Sequence, residues 1–189
     1  MSGNFSRRQI LKANSRRKFL VVGGLALSGT LLSKFPRKVL AQVPAWQRFE
    51  LAPAGSASTN GDITAVSRIP KSLEVWWIGA NGSIQDAYWY EGAKWQQFEL
   101  APAGSASTNG GITAVSRIPN SLEVWWIGAN RSIQGAFWYD GGQWQRYELA
   151  PAGSASTNGD ITAVSRIPNS MEVWWIGTNR SVQDAYWYG

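Results

Sequence analysis

The chain has 189 residues, a formal net charge of +6, no cysteine and no histidine. These missing residue types exclude disulfides, zinc sites built on Cys or His, Cys nucleophiles and imidazole bases. Nine of the 18 Lys and Arg residues lie in residues 1–41, which carry no acid, so the rest has nine basic against 12 acidic residues and is near −3. The positive charge therefore belongs to the N-terminal segment, and we expect no nucleic acid among the partners.

Residues 1–41 have the organisation of an export signal. Two arginine pairs precede an apolar stretch at 19–32 that is too short to span a bilayer comfortably. Ala41 offers a small residue for cleavage. The first pair resembles the twin-arginine motif, which implies the twin-arginine translocase as a partner during export. We expect a product in the periplasm or outside the cell, anchored in the membrane if the leader is not cleaved. The paired arginines are Arg7, Arg8, Arg16 and Arg17.

A block of 49 residues then occurs three times, at 46–94, 95–143 and 144–189, the last copy stopping three residues short. The first two copies agree at 40 of 49 positions. A period of this length is typical of repeat architectures, in which each unit buries its apolar surface against its neighbours. Such repetition favours several similar sites over one unique catalytic centre.

Each repeat predicts four strands. β-branched and aromatic runs alternate with Gly, Pro and Asn, and 101–110 is a loop by its Pro, Gly and Ser content. Asn81-Gly82 predicts a type I′ turn between the second and third strands. In the first copy the strands are predicted at 63–69, 73–79, 84–90 and 95–100.

Four antiparallel strands joined by hairpins describe a β-propeller blade. We predict an all-β domain at 42–189 that contains three four-stranded antiparallel repeats of 49 residues. The segment 46–51 is predicted as a lone fourth strand that can complete the third blade. Propellers typically have four to eight blades. Two explanations therefore stay open: two chains form one ring as a homo-oligomer, a dimer of three blades each, or the sequence is a fragment of a longer one.

Several motifs resemble the PLL-like family of bacterial β-propeller lectins. They are the runs at 98–107, 112–119 and 123–128, together with 83–90, and they recur in order through 46–189. The resemblance implies a lectin for L-fucose and related, often O-methylated, sugars. Members of that family usually have seven blades, a number that three repeats do not divide into.

Sugar sites combine an aromatic face with short polar groups that hydrogen-bond hydroxyls, and each repeat offers both. Neighbouring residues on a strand point to opposite faces, so at most one Trp of each adjacent pair faces a given pocket. Core packing is the alternative for every Trp, and local turn or surface ion-pair roles are the alternatives for the polar residues. The candidate sugar-binding residues are Ser67, Arg68, Glu74, Trp76, Asn81, Gln85, Asp86, Tyr88, Trp89, Glu123, Trp125, Asn130, Gln134, Trp138, Glu172, Trp174, Asn179, Gln183, Asp184, Tyr186 and Trp187.

The middle copy differs from the outer two in a correlated way. Asp62, Asp86 and Tyr88 recur in the third copy, whereas the middle copy has Gly, Gly and Phe at the same positions. We expect the three residues to form one polar locality and the middle site to be weaker or different.

These patterns favour a non-enzymatic carbohydrate-binding protein with several equivalent sites. The alternative is an exported protein-interaction or structural propeller that binds no sugar. A glycosidase needs two carboxylates in unlike environments, and the carboxylates here recur between repeats. We expect no metal and no cofactor, because the sequence offers no acid–base pair, metal set or cofactor loop.

Overall fold

The computed structural model describes residues 46–189, and the predicted export signal at 1–41 lies outside the described residues. The described part consists of 11 strands connected by turns and loops. Within it, no helix is long and apolar enough to cross a membrane. The strands are β1 (Ile63–Val66), β2 (Ser72–Ile78), β3 (Ile84–Tyr90), β4 (Gln96–Ala101), β5 (Ile112–Val115), β6 (Ser121–Ile127), β7 (Ile133–Tyr139), β8 (Gln145–Ala150), β9 (Ile161–Val164), β10 (Ser170–Ile176) and β11 (Val182–Tyr188).

Each repeat folds into one antiparallel sheet, which confirms the predicted blade. The sheet orders are β1-β2-β3-β4, β5-β6-β7-β8 and β9-β10-β11. The short strands β1, β5 and β9 pack beside one another and form the inner edge of the three blades. The registers of the first two blades are identical, with Asp86 opposite Phe98 in the first and Gly135 opposite Tyr147 in the second.

The third sheet has three strands. The prediction that 46–51 forms a fourth strand is wrong within a single chain. Residues 46–50 have no strand pairing, and the outer edge of β11 carries no strand among residues 46–189. The first strand of each repeat is also shorter than predicted. The Ser67 hydroxyl donates to the Ile69 carbonyl at 2.8 Å and turns the chain before Pro70.

The hairpin between β2 and β3 is not the predicted type I′ turn. That turn requires positive φ at both central residues, whereas Gly82 has φ +75° and Asn81 does not share it. The Gly82 N–H donates to the Gly79 carbonyl at 2.9 Å, and the Asn81 side chain accepts from the Ser83 N–H at 3.0 Å. This geometry is a turn followed by one residue in the left-handed region. Arg131 and Arg180 keep the positive φ at that residue, both at 64°.

The hydrophobic core lies between blades rather than within them. One cluster joins Trp76 and Ile78 of the first blade to Trp126 of the second. The other joins Trp125 of the second blade to Trp175 of the third. The two indoles of the central pair therefore face opposite neighbours, as period-two alternation requires. Core packing is confirmed for these tryptophans.

Candidate functional site

An arginine and a glutamate form a buried ion pair beyond the C-terminal end of β1 in the first blade. Arg68 follows β1 and Glu74 lies on β2, and the Arg68 Nε donates to the Glu74 Oε1 at 3.1 Å. The Arg68 guanidinium also donates to the hydroxyl of Tyr90 and, at 2.6 Å, to the Asn120 Oδ1 of the next blade. The side chains of Arg68 and Glu74 are only 10% and 4% exposed, so the predicted pair exists but is not a surface pair.

The second blade repeats this cluster. Arg117 Nε donates to Glu123 Oε1 at 2.9 Å, and the guanidinium donates to the Tyr139 hydroxyl at 2.7 Å. Tyr139 in turn donates to the same Glu123 oxygen at 2.9 Å. The other carboxylate oxygen, Glu123 Oε2, is buried and has no partner within residues 46–189. A buried acceptor without a partner is costly, so a hydroxyl that reached this oxygen from the adjoining cavity would satisfy it.

An aromatic ring from the following blade covers each arginine. The Arg68 guanidinium lies 4.7 Å from the ring centroid of Trp138, and that of Arg117 lies 4.5 Å from Trp187. These distances fit cation–π contacts. Because the ring comes from the next blade, the cluster is complete only where two blades meet.

Charge and burial act in opposite directions on the glutamates. Burial raises the pKa of Glu74, and the neighbouring Arg68 opposes that rise. The same burial raises the pKa of Glu123, opposed by Tyr139 and Arg117. The partners compensate part of the desolvation, and their hydrogen bonds hold the glutamate and arginine side chains in fixed positions.

The ion pair opens into a cavity between neighbouring blades, which we call the inter-blade pocket. Between the first and second blades it measures about 530 Å³, and between the second and third about 430 Å³. Aromatic side chains make up about half of the residues that line each pocket. Tyr88 and Phe98 meet edge to face with centroids 6.3 Å apart, and Phe98 lies 6.3 Å from Trp144. The first pocket is lined by Arg68, Glu74, Tyr88, Tyr90, Gln96, Gln97, Phe98, Leu122, Trp138 and Trp144. The second is lined by Glu123, Trp125, Phe137, Tyr139, Tyr147, Leu149, Met171, Val173, Ala185, Tyr186 and Trp187.

A second, more polar cavity lies beside the hairpin of each blade, which we call the rim pocket. The three copies measure about 350, 520 and 370 Å³ in chain order. In the middle copy the Gln134 amide donates to Ser132 at 2.7 Å and to Glu148 at 3.1 Å, so its donors are already engaged. The Trp126 indole N–H is buried there without a partner in the described chain.

The structure divides the predicted sugar-binding residues between these two places. The Arg and Glu candidates of the first two blades, with Trp125 and Trp138, lie at the inter-blade pockets, as do Tyr88, Tyr186 and Trp187. The rim pockets take Asn81, Asn130, Asn179, Gln85, Gln134 and Gln183. On the last blade, Glu172, Trp174 and Asp184 lie beside a flank that carries no further blade within 46–189. Trp89 lies on β3, and its ring centroid is 6.5 Å from that of Trp95.

Other candidates serve the fold. Asp86 and Trp76 are both 0% exposed, and Ser67 closes a turn, so none of the three reaches a surface ligand in this structure. Burial and the nearby Glu74 raise the pKa of Asp86 to about 8. The expected locality of Asp62, Asp86 and Tyr88 holds only in part. Asp86 and Tyr88 are two residues apart on β3. Asp62 instead lies beside Asp160, and burial together with the charge of Asp160 raises the pKa of Asp62.

Sequence reasoning missed five residues of these clusters, which are of three kinds. Tyr90 and Tyr139 accept hydrogen bonds from the arginine of their own blade. Asn120 and Asn169 accept hydrogen bonds from the arginine of the preceding blade. Trp144 lines the first inter-blade pocket. A signal existed for the tyrosines, because each follows its arginine by 22 residues. Within residues 46–189, no group of three or more His, Cys, Asp or Glu side chains is placed to hold a metal ion.

Comparisons with solved structures find the same fold in several proteins that are propeller lectins. The BP39L lectin of Burkholderia pseudomallei superposes with a TM-score of 0.66 at 19% identity, over 75% of this chain and 43% of that one. The six-bladed Aleuria aurantia lectin gives 0.54 at 22% identity, over 69% and 43%. A fucose lectin from Kordia zhangzhouensis, solved with methyl-fucoside, gives 0.50 at 18% identity, over 68% and 93%. These likenesses show the β-propeller fold, and the chain spans less than half the length of the first two proteins.

No family model matches the chain, and a search of curated proteins gave no match.

Proposed function

We propose that this chain is a non-enzymatic carbohydrate-binding protein whose inter-blade pockets take sugars of the fucose type, including O-methylated ones. The observation that carries the proposal is the unpartnered Glu123 Oε2 beside aromatic walls in a cavity of about 430 Å³. Sugar rings offer hydroxyls to a carboxylate and an apolar face to aromatic rings. Three fold neighbours support the sugar class: SapL1 and the Kordia lectin were solved with methyl-fucosides, and the Aleuria lectin with Fucα1-6GlcNAc.

The inter-blade pocket suits a deoxy or methylated sugar better than the rim pocket does. A methyl group gains from apolar walls, and the walls of the second inter-blade pocket are mostly aromatic and aliphatic. In the rim pocket, Gln134 and Asn130 are occupied by hydrogen bonds to neighbouring side chains. The two inter-blade pockets differ, with Tyr88 and Phe98 in one and Phe137 and Tyr147 in the other, and we expect unequal affinities.

The same geometry supports our proposal of binding without catalysis. Asp86 is the one carboxyl group of the described residues with a pKa raised to about 8, the property of a general acid. It is 0% exposed, however, and no substrate bond can reach it. The pocket-lining glutamates Glu74 and Glu123 recur in equivalent surroundings, so they do not divide into an acid and a nucleophile.

Calorimetric titration of the full chain with methyl α-L-fucoside tests the proposal. Glu123→Gln keeps the size of the side chain and its bond from Arg117, but it replaces one carboxylate acceptor by an amide. We expect at least about tenfold weaker binding at that pocket, since a hydrogen bond to a charged group contributes about 1.5–3 kcal/mol. Glu74→Gln is the equivalent change in the other pocket.

The matched control is Glu148→Gln, an exposed glutamate of the rim pocket. If the double variant of Glu74 and Glu123 binds the fucoside as the parent chain does while Glu148→Gln loses it, the sugar site is the rim pocket. If the folded parent binds none of a panel of fucosylated and O-methylated glycans, the carbohydrate proposal is overturned.

We also propose that residues 1–41 direct export by the twin-arginine route, which supplies an already folded lectin to the periplasm or the outside of the cell. The paired arginines and the short apolar stretch support this proposal.

A further inference from the structure

The two ends of the described chain are complementary. At one end β11 has an uncovered outer edge, where blades one and two carry β4 and β8. Val182 on β11 is 71% exposed, whereas its counterparts Ile84 and Ile133 are both fully buried. At the other end, the segment 47–51 has the sequence of an outer strand but belongs to no sheet among residues 46–189. An uncovered edge strand is a template for adding another strand.

The segment 47–51 already packs on the first blade as an outer strand packs on the next blade. Phe49 lies 6.4 Å from Trp95, and the corresponding pair Phe98 and Trp144 is 6.3 Å apart. The Gln97 amide of β4 donates to the Leu51 carbonyl at 2.7 Å. The segment therefore stands where the outer strand of a preceding blade would stand, with Phe49 still 69% exposed.

A pairing rule within the blades shows which sheet this strand fits. In the second blade, a Cβ on Gly135 would lie 2.5 Å from Tyr147 Cζ and 2.9 Å from its hydroxyl oxygen, so this tyrosine tolerates no side chain opposite it. Its hydroxyl instead accepts from the Trp125 indole at 2.7 Å. In the first blade Asp86 occupies the space and its opposite residue is Phe98, which has no hydroxyl. A tyrosine on the outer strand is therefore paired with a glycine on the neighbouring strand, and a phenylalanine is paired with an aspartate.

The third blade has aspartate at this position, Asp184, and therefore requires phenylalanine on its outer strand. The segment 47–51 carries Phe49, and the register of the first blade sets Phe49 opposite Asp184 and Glu50 opposite Gln183.

We propose that the segment 47–51 of one copy of this chain forms the missing outer strand on β11 of a second copy, reciprocally, so that two chains close one six-bladed ring. A closed two-fold exchange covers both uncovered ends at once and leaves no free edge. It also completes a third pocket in each chain. The side chain of Arg166 is 59% exposed, whereas that of Arg117 is 10% exposed. Trp89 of the second copy occupies the sequence position of the rings that cover Arg68 and Arg117, so it would cover Arg166 in the ring.

Cysteine cross-linking of the full chain tests the register directly, because the chain has no natural cysteine. The double variant Glu50→Cys/Gln183→Cys puts the thiols directly opposite each other, and oxidation is expected to yield a covalent dimer on a non-reducing gel. Glu50→Cys/Asp184→Cys is the matched control, since neighbouring residues of a strand point to opposite faces. A disulfide-linked monomer, or equal yields from both variants, would overturn the proposal.

The pairing rule gives a second test that needs no sugar. Phe49→Tyr is expected to weaken the dimer about tenfold or more in native mass spectrometry, because its hydroxyl would overlap the Asp184 side chain that faces it across the two strands. Adding Asp184→Gly recreates the pair of the second blade and is expected to restore the dimer. A dimer indifferent to Phe49→Tyr, or a parent chain that is monomeric at micromolar concentration, refutes the strand exchange. Both readouts are masses, so they stand whether or not the chain binds fucosides.

Discussion

Asp86 should make the stability of this protein fall as the pH rises. Burial and Glu74 raise its pKa from 3.8 to about 8 in the folded chain, so the folded state keeps a proton that the unfolded state loses near pH 4. Between these values the folded state binds more protons, and the free energy of unfolding decreases with pH. A difference of about four pKa units at 1.36 kcal/mol each gives a loss of about 5–6 kcal/mol between pH 4 and 8. This is comparable to the whole stability of many domains.

Asp86→Asn removes the titration but keeps the shape of the side chain. We expect its free energy of unfolding, measured by urea denaturation and tryptophan fluorescence, to fall much less between pH 5 and 8 than that of the parent chain, and the remaining decrease comes from the raised pKa values of Glu74, Glu123 and Asp62. Asp140→Asn, at an exposed position, is the control and should keep the parent's slope. If Asp86→Asn and the parent show the same slope, Asp86 is ionised in the folded chain, and the argument from its burial fails.

Three further predictions concern single positions. Lys71 has φ +68° in the turn after Pro70, where the later copies have asparagine. Because asparagine adopts a positive φ more readily than lysine, Lys71→Asn should raise the free energy of unfolding by about 0.5–1 kcal/mol in urea denaturation. The reciprocal change Asn120→Lys should lower the free energy of unfolding, because it removes an acceptor of Arg68. Phe98→Tyr should lower the melting temperature, and Phe98→Tyr/Asp86→Gly should recover most of the loss; a neutral Phe98→Tyr would contradict the pairing rule. Replacing all four paired arginines of the leader by lysine should retain the protein in the cytoplasm in cell fractionation, and continued export would rule out the twin-arginine route.

The strands were predictable because their signals are local. β3 begins and ends where the alternation of Ile84–Tyr90 predicts, and β2 is shifted by a single residue. The shortened β1 was not predictable from β propensity, because one side-chain hydrogen bond from Ser67 decides where it ends. The turn at Gly82 differs for a similar reason, since the Asn81 side chain caps the backbone and makes a second positive φ unnecessary.

Only the contacts of the site that lie within one blade were predictable. Arg68 and Glu74 are six residues apart, and their pairing follows from two neighbouring strands. Asn120 and Trp138 join the same arginine from the next blade, and no periodicity in one repeat shows which blade-to-blade contacts form. The expected link between Asp86 and Tyr88 corresponds to two side chains on the same face of β3. At the middle copy's Gly135 the structure gives a packing reason for the change, because the facing Tyr147 ring and hydroxyl leave no room for a side chain.

The junction between two chains cannot resemble the junctions within one chain in every respect. Inside the chain, Asn120 and Asn169 accept a hydrogen bond from the arginine of the preceding blade. In a ring of two copies, Arg166 would meet Lys71 at the corresponding place, and a lysine ammonium has no acceptor to offer. The arginine cluster therefore adds less at the junction of the two chains than at the internal ones. It follows that the exchanged outer strand, with Phe49 over Asp184, must supply most of the specificity of assembly, which is why its register is the feature to test first.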